Sequence, residues 1–294
     1  MYNNARILGG IIVNNNTLDS IVRKVQDMKP LPMVVGQIIN ITEDPKATIR
    51  DLEEVILKDQ VLTTKILRVA NSAYYTYNRK ISTISQAAVL IGFKAIKGIA
   101  FASVLNKYMN VELKGYEMEK DDLWQQSQTC AIAAREISKR IKYRDQEEAY
   151  IAGLLHDVGK TVLSQYLEDE YGEILKLVEE GSTFDEAEAK VLGFSHTEIG
   201  GKVAEKWNLP KHLVDAIKYH HDPDAADDNI MMVNIVHVAD AITMMVGIGM
   251  GADGMNYKIS ERALEMLGLD EIGIQDLIST VVDVVQSEEN YLLA

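Results

Sequence analysis

The sequence predicts an all-α protein built from two helical modules. Only 5 of its 294 residues are proline and only 6% are aromatic, so helix breakers and sheet-favouring rings are both scarce. Apolar residues recur three or four positions apart, as in Leu18, Ile21, Val22 and Val25. No alternation of apolar and polar residues continues long enough to indicate a strand. These observations together favour packed amphipathic helices.

The first predicted module covers residues 18–110. Its first helix is ended by Pro30 and Pro32, which lack the backbone N–H that a helix interior needs. Thr48 is a predicted N-cap. Gly92 interrupts the last and longest helix of the module. The predicted helices of this module cover residues 17–28, 33–41, 48–58, 61–70 and 85–108.

The second predicted module covers residues 111–245, and residues 246–294 form a C-terminal helical extension. Residues 110–121 are polar and contain a glycine, which is typical of a linker. Ser195 and Glu198 form a capping box that places a histidine in the first turn of a helix. Four glycines between residues 247 and 254 predict a flexible break. The predicted helices cover residues 122–142, 146–167, 171–180, 183–192, 196–207, 210–221, 260–267 and 271–287, and a further helix carries His237 and Asp240.

Charge and cysteine content exclude several functional classes. The net charge of −14 argues against a protein that binds the phosphate backbone of nucleic acids. The longest apolar stretch, residues 230–250, is interrupted by Asn234, His237 and Asp240, as expected of a buried helix and not of a membrane span. Cys130 is the only cysteine, so no intramolecular disulfide forms and a cytoplasmic location is expected.

The histidines predict a metal site in the second module. All six lie between His156 and His237, and His156 stands beside Asp157 in the apolar stretch GLLHDVGK. A buried imidazole next to a buried carboxylate is costly unless a third group pairs with both, and a metal ion does so. Mixed nitrogen and oxygen ligands favour iron or manganese, as one ion or two. The candidate ligands are His156, Asp157, His196, His220, His221 and Asp240.

Ordinary structural roles remain open for the same residues. A histidine in a core is more often hydrogen-bonded than bound to a metal, and sequence spacing does not establish that the six candidates converge. His212 follows Lys211 at a helix start and is interpreted as a surface residue. His237 is interpreted as a packed imidazole, with a supporting contact to Asp240 as the alternative.

The order of these motifs resembles a known family. The run from Asp59 to Ser72 has the pattern D-x-x-L-x-x-K-x-L-x-x-x-N-S. The motifs LWQQS, GLLHDVGK, FSHTEIGGKVAEKWNLP, IKYHHDP and IVHVADAI follow in order. Over roughly residues 18–245 the chain resembles the HDOD proteins of bacterial signal transduction, a branch of the HD superfamily of metal-dependent phosphohydrolases. The resemblance implies an HD-type helical bundle in the C-terminal half.

What the resemblance implies about activity points in two directions. HDOD domains commonly lack several HD metal ligands and are regarded as regulatory, whereas this chain keeps the six candidates named above. In the similar HD-GYP cyclic-dinucleotide phosphodiesterases, the aspartate at the position of Asp157 bridges two ions and a lysine at the position of Lys160 helps to bind phosphate. The resemblance therefore implies Asp157 and Lys160 as the catalytic residues of an active enzyme.

The same resemblance identifies two departures from an active site. Gln126 of LWQQS stands where the family has its first histidine, and an amide oxygen is a weaker ligand than imidazole. Asp122 lies one turn earlier, where diiron relatives carry an acidic ligand. No GYP-type motif follows Asp240. One metal ion would then be held loosely.

Three functional hypotheses follow. The first is a cytoplasmic, regulatory signal-transduction module with a retained metal site and little or no catalysis. It would bind a signalling protein through the first module and the groove between modules, and neither nucleic acid nor a membrane. The alternative is a metal-dependent phosphohydrolase acting on nucleotides or cyclic dinucleotides, with a phosphate-containing ligand at the metal site. The third is a redox or oxygen sensor with a diiron centre.

Overall fold

The computed structural model describes residues 5–8, 11–72, 80–254 and 256–292. Within these ranges the chain forms fourteen α-helices joined by short turns, which confirms the all-α class. One antiparallel hairpin, β1 (Ala5–Leu8) with β2 (Ile11–Asn14), precedes the first helix. The sequence analysis did not predict this hairpin because each strand is only four residues long.

The chain divides into two compact units. The larger contains Met1–Pro30 and Met109–Ile278, and the smaller contains Leu31–Tyr108 and Ser279–Ala294. The units therefore group the first helix with the second half of the chain and the end of the last helix with the first half. The module boundaries at residues 18–110, 111–245 and 246–294 stay predictions.

The smaller unit contains α2 to α5. Its core is formed by aliphatic side chains, among them Ile38, Leu52 and Ile96, which are fully buried. Thr48 caps α3 in a complete capping box with Asp51, as predicted. Gly92 has a φ of 84°, which kinks α5 at the predicted position. The helices are α2 (Met33–Glu43), α3 (Ile49–Ile56), α4 (Gln60–Ala70) and α5 (Ile84–Met109).

The larger unit packs its helices around α6, α7 and α12, which contact one another. Buried residues occupy most of each of these three helices, so they form the centre of the unit. The helices of this unit are α1 (Asn15–Asp27), α6 (Asp122–Arg140), α7 (Gln146–Leu155), α8 (Lys160–Glu179), α9 (Phe184–Leu192), α10 (His196–Lys206), α11 (Lys211–Tyr219), α12 (Ile230–Val246), α13 (Glu261–Leu267) and the start of α14 (Glu271–Leu292).

The predicted helix over residues 146–167 is wrong. The structure ends α7 at Leu155 and begins α8 at Lys160, with a turn over residues 156–159 between them. A Cβ atom on Gly159 would lie 1.9 Å from the carbonyl oxygen of His196, so this turn packs directly on the backbone of α10. The separate helix predicted over residues 171–180 is the second half of α8.

The predicted linker, residues 110–121, belongs to the packed interior of the larger unit. Tyr116 is fully buried within it, and Leu113 pairs with Met118 through backbone hydrogen bonds. Leu113, Tyr116 and Met118 are at most 2% exposed, and burial of each such side chain contributes about 1.5–3 kcal/mol, so these three side chains hold the segment in place. The segment was interpreted as a linker because most of its other residues are polar.

The glycine-rich segment after α12 is also packed, although a flexible break was predicted. Gly249 has a φ of 64°, and a Cβ atom there would lie 2.2 Å from the carbonyl oxygen of Asp122. Only glycine fits both the backbone conformation and the close approach. The segment consequently lies against α6 and carries Asp253 into the interior of the unit.

Helix α5 is the one helix in the described ranges that is long and apolar enough to cross a membrane. Half of its most apolar window is buried within the protein, as in the core helix of a globular unit. The predicted absence of membrane binding and the cytoplasmic location stay predictions.

We predict that Gly159→Ala lowers the free energy of unfolding by about 3 kcal/mol or more, because the added methyl group collides with the backbone of α10. Gly172→Ala, in the helix that follows this turn, is the control: nothing lies within 4 Å of its added Cβ. This control should stabilise the protein by about 0.5–1 kcal/mol. Urea denaturation followed by circular dichroism measures the free energy of unfolding of both variants. Equal changes in the two variants would contradict the close packing of Gly159 on α10.

Candidate metal centre

The structure brings the six predicted ligands together. His156 and Asp157 lie in the turn between α7 and α8, and His196 is the first residue of α10. His220 and His221 follow α11, and Asp240 lies in the middle of α12. His221 is partly exposed, while the other five are at most 1% exposed. Four elements distant in sequence thus converge on one buried cluster.

Asp157 lies at the centre of this cluster. Its Oδ2 atom is 3.0 Å from Nε2 of His156, and its Oδ1 atom is 3.3 Å from Nε2 of His196 and 3.7 Å from Nε2 of His220. His156 Nε2 is also 3.3 Å from Oδ1 of Asp240. The two carboxylate oxygens of Asp157 therefore face different imidazoles, as a bridging ligand requires.

The opposite ring nitrogens are held by groups that accept hydrogen bonds. Nδ1 of His156 donates to the carbonyl oxygen of Gly153 at 2.7 Å, and Nδ1 of His220 donates to that of Ile217 at 2.8 Å. A carbonyl oxygen cannot donate, so each Nδ1 must carry the hydrogen. In the neutral ring the lone pair then lies on Nε2 and points into the cluster, which is the orientation of a metal ligand.

Several polar atoms inside the cluster lack a well-directed hydrogen-bond partner among the described residues. They are Nε2 of His156, Nε2 of His220, Oδ1 of Asp157 and Oδ1 of Asp240. Each buried, unpaired polar atom costs roughly 1–3 kcal/mol. Divalent cations bound among these atoms would pair with them, so the donor set fits divalent metal.

The ligand atoms fall into neighbouring sets. Atoms of His196, His220 and His221 lie within 4.8 Å of one another, and so do those of His156, Asp157 and His220. A third set joins Cys130 to His156 and Asp240. The sets overlap through His156 and His220, so the cluster is longer than one coordination sphere.

The pKa values of the histidines differ across the cluster. Burial lowers the pKa of His156, but Asp157, Cys130 and Asp240 together hold that pKa well above its usual value. At His196 burial also lowers the pKa, but Glu188 and Asp157 together raise it to about 10. Burial, followed by the neighbouring His220 and His196, holds the pKa of His221 well below its usual value. Metal binding would therefore release protons from His156 and His196.

Lys160 is fully buried and forms ion pairs with two carboxylates. Its Nζ atom donates to Asp157 at 2.5 Å and also to Asp253 of the glycine-rich segment. Burial lowers the pKa of Lys160, but Asp157 and Asp253 raise it further, so the amine stays charged. The lysine that the resemblance assigns to phosphate is thus already neutralised from within the chain.

Glu188 of α9 fixes His196 and was missed by the sequence analysis. It is fully buried and accepts hydrogen bonds from the backbone N–H of His196 at 2.7 Å, from Nδ1 of the same residue at 2.7 Å and from the hydroxyl of Tyr116 at 2.6 Å. The only available signal was a carboxylate flanked by alanines on an apolar helix face. Asp253 gave no signal, because its partner Lys160 lies 93 residues away.

The two remaining histidines have other partners. Nδ1 of His237 donates to the carbonyl oxygen of His220 at 2.6 Å, and its Nε2 accepts the backbone N–H of Ser260 at 2.9 Å. The ring is packed and hydrogen-bonded, as interpreted from the sequence. His212 is 28% exposed and lies 3.1 Å from Glu148, so it is partly buried where a surface residue was predicted.

The position of the missing family histidine is also defined. Gln126 is fully buried, its Oε1 atom has no partner among the described residues, and its Nε2 atom faces the sulfur of Met244 at 3.9 Å. Asp122 accepts the backbone N–H of Glu119 at 2.7 Å instead of joining the histidines. Asp122 belongs to none of the ligand sets described above.

A cleft of about 310 Å³ opens onto one end of the cluster. His196 and His221 reach it from one side and Asp253 from another. Tyr257 also lines the cleft, and its ring lies 5.4 Å from that of His221. A small ligand could therefore reach the histidine end of the cluster from outside.

Comparison with known families agrees with this architecture. The HDOD domain matches residues 28–223. The chain belongs to the HDOD family. A solved HDOD domain protein of unknown function from Geobacter sulfurreducens is 25% identical, with a TM-score of 0.70 over 94% of this chain and 95% of that one. The fold is also that of a candidate phosphohydrolase from Shewanella amazonensis, at 23% identity and a TM-score of 0.69 over 94% of this chain and 98% of that one.

Curated relatives are longer than this HDOD protein. A protein of Treponema pallidum with no assigned function is 25% identical over 226 residues, which is 75% of this chain and 43% of that protein. Ribonuclease Y of Thermus thermophilus is 36% identical over 124 residues, which is 42% of this chain and 17% of the enzyme. The chain spans less than half the length of either relative.

We predict that Tyr116→Phe lowers the free energy of unfolding by about 1.5–3 kcal/mol, because Glu188 loses a buried donor to its carboxylate. Tyr166→Phe is the matched control: its hydroxyl shares an exposed hydrogen bond with Ser20, and its loss should change stability by about 0.5 kcal/mol or less. Thermal unfolding of both variants and of the unaltered protein measures the two changes in stability. Equal losses would mean that Glu188 does not depend on Tyr116.

Proposed function

We propose that this HDOD protein is a regulatory module of bacterial signal transduction with a buried metal centre that serves structure or signalling more than catalysis. The observation that carries the proposal is the set of buried, unpaired ligand atoms that converge around Asp157. The proposed ligands are His156, Asp157, His196, His220, His221 and Asp240.

The chemistry of these ligands favours iron or manganese, and the six residues would hold one or two ions. Imidazole nitrogen and carboxylate oxygen together suit these metals. When bound, a divalent ion would polarise a phosphate oxygen and lower the pKa of a bound water. The residues of the chain itself would hold each imidazole in the tautomer that exposes Nε2, through Gly153, Ile217 and Glu188.

Two features support weak catalysis. Lys160 already donates to Asp157 and Asp253, so binding a phosphate would require it to leave a buried ion pair. Breaking such a pair costs about 3–5 kcal/mol. Gln126 stands in place of a family histidine and faces Met244, so an ion at this position would lack one imidazole ligand. Both features reduce the assistance that a substrate phosphate would receive.

The alternative function is a metal-dependent phosphohydrolase acting on a nucleotide or cyclic dinucleotide. The cleft that reaches His196 and His221 favours it, because a phosphate-containing ligand could enter there. The likeness to Ribonuclease Y over 124 residues agrees with phosphodiester chemistry. In this case Asp157 would bridge the ions and Lys160 would turn from Asp253 toward the phosphate.

The family also indicates where the protein is located and what it binds. We expect a cytoplasmic protein whose partner is another signalling protein, with no nucleic acid and no membrane bound, in keeping with the net charge of −14. Residues 18–110 would supply the partner contacts, and residues 111–245 would hold the metal centre.

We predict that Asp157→Asn lowers the bound metal at least tenfold, because it removes the charged ligand at the centre of the cluster. Elemental analysis of protein purified without chelators should find one or two iron or manganese ions per chain before the substitution. Asp215→Asn is the matched control, since Asp215 is buried but pairs with Lys211 and Asn229 outside the cluster. Metal-free protein in every sample would refute the metal centre.

We predict that the metal-loaded protein hydrolyses bis(p-nitrophenyl) phosphate at a rate within about tenfold of the Asp157→Asn variant, because Lys160 is held by carboxylates and Gln126 replaces a ligand. The assay is run with added Mn²⁺ or Fe²⁺. A rate that Asp157→Asn lowers by a factor of 100 or more, with unchanged circular dichroism, would favour the phosphohydrolase instead.

A further inference from the structure

One side of the cluster faces α6 and presents a sulfur atom. Cys130 lies in the middle of α6 and is fully buried. Its Sγ atom, a ring nitrogen of His156 and a carboxylate oxygen of Asp240 all lie within 4.8 Å of one another. The ligands of one metal ion are about 3–4 Å apart when bonds are about 2.0–2.3 Å long, so these three atoms lie within about 1–2 Å of the separations that one ion requires.

Two buried polar atoms at this end of the cluster support a bound cation. Nε2 of His156 and Oδ1 of Asp240 are buried, 3.3 Å apart, and without a well-directed hydrogen-bond partner among the described residues. Two buried polar atoms without directed partners would be costly next to an apolar thiol. A cation bound at this place would satisfy both atoms.

The positions of Cys130 and Gln126 on α6 indicate which of the two side chains lies beside Asp240. Gln126 is one helical turn before Cys130 on the same face of α6, and Met244 is one turn after Asp240 on α12. Gln126 contacts Met244, whereas Cys130 approaches Asp240. On α6, Cys130 is therefore the side chain found beside the carboxylate of Asp240, and the amide nitrogen of Gln126 faces Met244 one turn away.

We propose that the Cys130 thiolate is a ligand of the metal ion held by His156 and Asp240, and that it compensates for the family histidine that Gln126 replaces. The inference rests on the metal centre proposed above. On binding, the thiol gives its proton to the solvent as the bond between sulfur and metal forms. A site of sulfur, nitrogen and oxygen favours Zn²⁺ or Fe²⁺ over the harder Mn²⁺.

The ordinary role for Cys130 is that of a small core side chain. The two roles differ in one measurable respect, because only a coordinated thiolate transfers charge to a bound metal. Cys130 is the only cysteine of the chain, so any such signal has one source.

The experiment replaces the native metal by Co²⁺ in the full chain. Metal is removed with a chelator, CoCl₂ is added without oxygen, and the near-ultraviolet absorption is recorded beside the cobalt content. The unaltered protein should show a sulfur-to-cobalt charge-transfer band. Cys130→Ser should lose the band and bind one cobalt ion at least tenfold more weakly, with unchanged circular dichroism. Asp215→Asn, outside the cluster, should keep the band.

The outcomes separate this inference from the metal centre itself. Cobalt bound to the unaltered protein without the band, and equally well to Cys130→Ser, would overturn the role of Cys130 and leave the histidine and aspartate ligands standing. Failure of the unaltered protein to bind cobalt would overturn both proposals. The band in the unaltered protein supports the inference even if Cys130→Ser does not fold.

Discussion

The site depends on one buried carboxylate. Asp157 is 1% exposed, yet three imidazoles and the ammonium group of Lys160 surround it. Burial raises the pKa of Asp157, but His156 and then Lys160 lower it further, so the carboxyl stays ionised. A buried charge of this kind is stable only when its partners are held in place. The surrounding elements supply that constraint.

Helix ends, more than helix faces, hold these partners. His156 follows the end of α7, His220 follows the end of α11, and each donates from Nδ1 to a carbonyl oxygen three residues earlier. Those carbonyls belong to the last helical turn, where no later backbone N–H is available to them. The same hydrogen bond that completes each helix thus sets the tautomer of its histidine.

The sequence was sufficient for features that depend on neighbouring residues. The capping box that places His196 at the start of α10 is local, and so is the kink at Gly92. The helix predicted over residues 146–167 failed because the turn after His156 is imposed by contact between Gly159 and α10. Glu188 and Asp253 were missed for the same reason, since their partners are brought to them only by the complete fold.

The pairing of Asp253 with Lys160 shows that the family match is shorter than the structure that completes the site. The match ends at residue 223, whereas Asp240 and Asp253 come later in the chain. A protein shortened at residue 223 would lose α12, one of the three central helices, together with the carboxylates of Asp240 and Asp253 that face His156 and Lys160. The part of this half of the chain that folds on its own therefore has to include the acidic partners of the buried His156 and Lys160, even though these partners lie outside the region of sequence similarity.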